Sequence, residues 1–143
     1  MKNEKLTDLL KQTNLESPPS QRSDDSLSAI PIIHELGEIY ITLHNAIRDM
    51  QKIERFSLGV MMEKVLLECI ETCFQTTVAV SGVQKQMQVA RASALFDTLK
   101  LFIRIAVRIH ALQEATYIKL IPRLGEVGKQ VGGWMKSING KAT

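Results

Sequence analysis

Lys100, Arg104 and Arg108 stand at successive four-residue steps, the spacing that puts side chains on one face of an α-helix. Cations one turn apart match a phosphate backbone, because each phosphate they neutralise releases counterions and makes binding salt-dependent. The plainer alternative is a solvated helix face in which Asp97 pairs locally with Lys100 or Arg104. On a helical projection with Leu99 at zero, the cations fall at about 100°, 140° and 180°. Leu101 and Ile105 fall beside them, at about 200° and 240°, on a face that a lone bundle leaves wet. That juxtaposition predicts a subunit interface next to a cationic surface.

Other residue types that could do chemistry lack the right company. His34, His44 and His110 are candidate metal ligands, and helical bundles hold metals through Glu-x-x-His pairs on facing helices. No such pair occurs, and His110 falls near the apolar side of its helix, where a structural histidine is expected. Ser57, Ser81 and Ser93 have no Gly-x-Ser-x-Gly setting. Cys69 and Cys73 are one helical turn apart, an unusual geometry for a disulfide, and read as reduced core thiols. Gly125, Gly128, Gly132 and Gly133 follow no strand, so they form no phosphate-binding loop. The reading is a protein without catalytic residues, metal or cofactor.

The elements that must carry these residues are helical. The chain has 143 residues, 45% hydrophobic but only 5% aromatic, enough for one all-α domain with a real core. Residues 1–28 are rich in Ser, Asn, Gln, Asp and Lys and contain Pro18-Pro19. They read as a weakly ordered arm, leaving residues 29–143 for the bundle. There Ile32, Leu36, Ile39, Leu43, Ile47 and Met50 define a first helix after Pro31. Leu58, Met62, Val65, Cys69 and Thr76 mark a second, which Gly82 is expected to cap at its C-terminus. Ala92, Leu95, Leu99, Phe102, Ala106 and Ile109 give a third, from Val83 to His110, with the alternating three- and four-residue spacing of a bundle seam. Leu120, Leu124, Val127, Val131, Trp134 and Ile138 give a fourth, with a kink or a delayed start expected at Pro122. Four such helices with short links predict an antiparallel up-down-up-down four-helix bundle.

Charge is distributed unevenly along this bundle. The formal net charge is +3, yet residues 30–84 carry four Lys/Arg against seven Asp/Glu, and residues 85–143 carry ten against three. The basic half is the one that holds Lys100, Arg104 and Arg108. No run of about 18 apolar residues occurs, and no basic-then-apolar signal pattern opens the chain. A cytoplasmic protein with no membrane span is expected.

The segment Glu126-Val127-Gly128-Lys129-Gln130-Val131-Gly132-Gly133-Trp134-Met135-Lys136 places three glycines and the only tryptophan in an apolar-periodic helix. Each glycine costs about 1 kcal/mol against alanine there. Gly128 and Gly132 share a face, which predicts close approach of a neighbouring helix. Together with Glu54-Arg55-Phe56-Ser57-Leu58-Gly59, in this order and spacing, the segment resembles the accessory variability determinant (Avd) proteins of diversity-generating retroelements. These are four-helix-bundle proteins related to those encoded in ribosomal-RNA intervening sequences. The resemblance spans about Ile33 to Ile138.

This resemblance implies a pentameric barrel with a basic surface that associates with the retroelement reverse transcriptase and binds RNA and DNA. Such a protein supports mutagenic complementary-DNA synthesis and does no chemistry itself. Lys100, Arg104 and Arg108 then become nucleic-acid contacts, with Arg55 and Arg123 as further ones, while Leu101 and Ile105 become subunit contacts. The competing reading is a structural oligomeric adaptor that docks a protein partner through Leu101, Ile105 and the acidic half, without nucleic acid.

Overall fold

A computed structural model describes residues 30–79 and 81–141; the arm expected over residues 1–28 lies outside them. Four helices and no strand make up the described residues: α1 (Ile30–Arg48), α2 (Val60–Val78), α3 (Gly82–Arg108) and α4 (Glu114–Lys141). A helical lead-in to α2 comprises an α turn, Lys52–Glu54, and a π segment, Arg55–Gly59. Each helix packs mainly on its two neighbours, α1 on α2, α2 on α3, α3 on α4 and α4 back on α1. That closed circuit is the up-down-up-down bundle expected from the hydrophobic spacing.

The core is aliphatic. All six apolar positions read for the first helix are buried, from Ile32 to Met50. Met62, Leu66, Cys69 and Cys73 meet them from α2, Leu99 and Ile103 from α3, and Leu120, Val127 and Val131 from α4. Both cysteines are free and buried, as read.

On α3 the seam has the expected spacing but is rotated. Val89, Ala92, Phe96, Leu99, Ile103 and Ala106 are buried, whereas Leu95 and Phe102 only flank the core and Ile109 is 51% exposed. Two apolar rows with the same three-four alternation compete for the interior, and the one that includes Phe96 and Ile103 meets both neighbouring helices.

The connections also correct the sequence reading. Gly82 does not cap α2 but opens α3, because Ser81 is the N-cap and its hydroxyl accepts the Gln84 N–H at 3.0 Å. At the other end of α3, His110 has φ of 61° and is exposed. It is the left-handed residue of a Schellman turn, with Ala111 N–H donating to Ala106 O at 2.9 Å and His110 N–H to Val107 O at 3.1 Å. The expected buried structural histidine is therefore a turn residue. α4 starts at Glu114 and continues through Pro122, so the helix is not delayed. Pro122 lies on the exposed side, where a carbonyl without its helical donor can turn to water.

The glycines differ most from expectation. A Cβ placed on Gly132 would meet nothing within 4 Å, and one on Gly128 would meet only Phe96, at an ordinary 3.7 Å. Among the described residues no helix approaches α4 closely enough to require them. The close approach lies instead at Gly59, where a Cβ would sit 2.8 Å from Ile47 Cγ2 and 3.6 Å from Met50 Sδ. Gly59 closes the π segment, in which Val60 N–H reaches back five residues to Arg55 O. The extra residue in that turn seats the glycine directly against α1.

Candidate nucleic-acid interface

Rotation of the α3 seam changes the setting of each candidate cation. Lys100 sits on the flank of the buried row, its side chain 35% exposed, with Nζ 3.2 Å from Asp97 Oδ1 and 4.9 Å from the centroid of the Phe96 ring. The ion pair and the ring face hold this ammonium close to the helix. Arg104 and Arg108 are exposed and have no ion-pair partner among the described residues. They lie one turn apart, so their guanidinium groups can address successive anionic groups without first breaking an internal contact.

The other two cations are engaged within the chain. Arg123 Nη1 donates to Glu35 Oε2 at 3.0 Å, tying α4 to α1. Arg55 Nη2 donates to Met50 O at 3.1 Å, bracing the corner between α1 and α2, while its Nε is buried without a partner. The structure therefore brings Lys100, Arg104 and Arg108 together and sets Arg55 and Arg123 apart from them. Where the two interhelical corners meet, a cavity of about 280 Å³ is lined by Asp49, Glu54, His110 and Gln113 among others. Its carboxylates repel phosphate; exposed cations lie on the α3 flank and, as Lys119, Lys129 and Lys136, on α4.

Leu101 and Ile105 are 53% and 39% exposed, on the outward side where the projection puts them. Sequence reading missed their counterparts on α2 and its π lead-in: Phe56, Val60, Leu67, Phe74 and Val78 are all exposed. Their spacing of four or seven residues carries the signal, but the stronger core row of the same helix masks it.

The thiols lie on the opposite, inward side of α2. Cys69 Sγ donates to Ala92 O at 3.8 Å. A hydrogen bond with Cys73, and then burial, push the Cys69 thiol well above its ordinary range. Such a sulfur has almost no thiolate at neutral pH and is no nucleophile.

Residues 32–138 match the sequence profile of a family described as bAvd-like. The chain belongs to the bAvd-like family. Its members are accessory, non-catalytic proteins, and the matched span contains the whole described bundle except the first residues of α1 and the last of α4. In this bAvd-like chain both marker segments now have structural settings: Glu54–Gly59 builds the π turn and the close approach to α1, and Trp134 packs half-buried against the core. No curated protein and no solved structure matches the chain. Among the described residues, no helix is long and apolar enough to cross a membrane.

Proposed function

We propose that this protein is a non-catalytic accessory factor of a diversity-generating retroelement. It assembles into an oligomeric barrel, a pentamer in the family pattern, binds the retroelement reverse transcriptase, and holds RNA or DNA on the α3 flank during mutagenic copying in the cytoplasm. Family membership supports the accessory role. The single observation that supports the site is the exposed pair Arg104 and Arg108, one turn apart and without an ion-pair partner among the described residues, with Lys100 beside them.

The test is binding of labelled single-stranded RNA and DNA by fluorescence anisotropy across a salt series. Affinity is expected to fall linearly on a log–log plot as salt rises, with a slope of about 0.7 per phosphate neutralised on single strands. Arg104→Glu with Arg108→Glu should remove binding above the lowest salt while the far-ultraviolet circular dichroism stays helical. Unchanged affinity in that folded double variant refutes the assignment.

One observation favours the adaptor alternative. Lys100, Arg55 and Arg123 are already committed within the chain, while large apolar residues lie exposed on α2 and α3. In that case a purified reverse transcriptase binds the double variant as well as it binds the parent, and neither retains nucleic acid.

A further inference from the structure

Glu54 opens the marker segment Glu54–Gly59, and the fold leaves part of its carboxylate without a partner. The Oε2 atom is buried and accepts no hydrogen bond among the described residues. A buried carboxylate oxygen is costly unless a donor or a cation reaches it. The adjacent guanidinium does not do so, because Arg55 Nη2 donates to Met50 O instead. No ion pair among the described residues includes either Glu54 or the nearby Asp49. Both carboxylates line the cavity of about 280 Å³ between the two interhelical corners.

The lining of this cavity has two characters. Ala46, Met50 and Leu112 supply apolar surface, with Met50 and Leu112 buried. Asp49, Glu54 and Gln113 supply polar surface. Two carboxylates and no lysine or arginine contribute to the wall, so the space favours positive charge. The carboxylates also stand at different depths: Asp49 is exposed, whereas Glu54 is half-buried and its Oε2 wholly so.

Volume and lining select among cations. One water molecule takes up about 30 Å³ of liquid, so the cavity is several times larger than a single water or a bare ion needs. Among the described residues, no three His, Cys, Asp or Glu side chains converge to hold a metal ion. The apolar wall suits methylene groups, which gain by leaving water. Carboxylates at two depths suit a charge at each end of a methylene chain, one taken inside and one held at the mouth.

We propose that this cavity binds a short linear alkyl diamine as a free small molecule. One ammonium donates to Glu54 Oε2, the methylenes lie against Met50 and Leu112, and the second ammonium meets Asp49 at the mouth. The wall is drawn from both corners, Asp49 and Glu54 between α1 and α2, Leu112 and Gln113 between α3 and α4. A bound diamine therefore bridges the corners and stabilises that end of the bundle, because it binds only the folded chain. This role is independent of the cations on α3, and it gives Glu54 a task beyond opening the lead-in to α2.

Isothermal titration calorimetry on the full-length chain at low salt tests the site, after removal of any nucleic acid, which would itself hold diamines. Diaminobutane is expected to bind once per chain. Butylamine, with one charge, should bind about two- to fivefold more weakly, and the neutral butanediol should give no saturable heat. Glu54→Gln should weaken diaminobutane by roughly tenfold or more, and Asp49→Asn should bring it to the level of butylamine. Thr116 is a half-buried lining residue on α4, so Thr116→Phe fills the space and keeps both carboxylates; it should abolish binding while the circular dichroism stays helical. Diaminobutane should raise the thermal midpoint of the parent and leave that of Thr116→Phe unmoved. Absence of saturable binding by the parent would leave water as the partner of Glu54 and overturn the proposal. Butanediol binding as tightly as diaminobutane, or undiminished diaminobutane binding by folded Glu54→Gln or Thr116→Phe, overturns it as well.

Discussion

Replacement of Gly59 by alanine should destabilise the protein, although alanine is the better helix former. A methyl group at this position would stand 2.8 Å from Ile47 Cγ2, with Glu54 O at 3.4 Å and Met50 Sδ at 3.6 Å. Ile47 is 5% exposed, and Cγ2 is attached directly to its branched Cβ, so it moves only with the backbone or by a rotamer change. Overpacking of this kind costs about 1–3 kcal/mol, and the helix-propensity gain offsets about 1 kcal/mol of it. A net loss of about 1 kcal/mol, or more where α1 resists displacement, corresponds to a midpoint lower by roughly 4 °C in a domain of this size. The assay is thermal unfolding followed by circular dichroism, at equal protein concentrations because any association of copies shifts midpoints. Gly132→Ala is the internal control: with nothing within 4 Å, it should gain about 0.5–1 kcal/mol. Ile47→Leu moves the branch away from Cβ, so Gly59→Ala should cost less in that background, a coupling that a double-mutant cycle reads directly. A Gly59→Ala protein as stable as the parent, or as stabilised as Gly132→Ala, refutes the close-approach account.

Two further outcomes follow from local geometry. His110→Gly should raise stability by about 0.5–1 kcal/mol in urea unfolding, because φ of 61° penalises any side chain; a loss would mean that the imidazole makes a contact that outweighs the strain. Cys69 and Cys73 should resist a thiol-specific reagent in the native protein and react on unfolding. Raising the pH to about 9, where a free thiol is largely ionised, should not expose Cys69, since its hydrogen bond with Cys73 and its burial hold the proton.

Much of this architecture was legible because α1 and α4 each have one dominant apolar row. The α1 row from Ile32 to Met50 and the α4 row from Leu120 to Val131 are buried where spacing put them. On α3, hydrophobic period alone could not choose between the row with Leu95 and Phe102 and the row with Phe96 and Ile103. The two differ by one residue, and the packing of α2 and α4 breaks the tie. Turn chemistry failed at Gly82 because a glycine after a helix and a glycine at the start of the next look alike once Ser81 is available as an N-cap. The role of Gly59 was invisible for a different reason. A π turn leaves no mark in residue spacing, and steric demand on a glycine depends on a neighbour that is distant in sequence.

The ambiguity on α3 and the layout of its surface have one physical cause. A helix that buries a single face announces it, whereas α3 must satisfy the core with Phe96, Leu99 and Ile103, leave Leu101 and Ile105 outside, and keep Arg104 and Arg108 in water between the two. Three demands on a helix with 3.6 residues per turn leave each about a third of the circumference. The cations therefore have little freedom to spread, and their four-residue spacing keeps them in a single strip. Lys100 marks the edge of that strip, close enough to the core for Phe96 and Asp97 to hold it. Moving the strip by one residue would bury a guanidinium on one side or expose an apolar row on the other. The basic line on α3 is thus fixed by the two apolar faces that bound it, and under the proposed function substitutions in either face should alter the nucleic-acid affinity read by anisotropy without touching a cation.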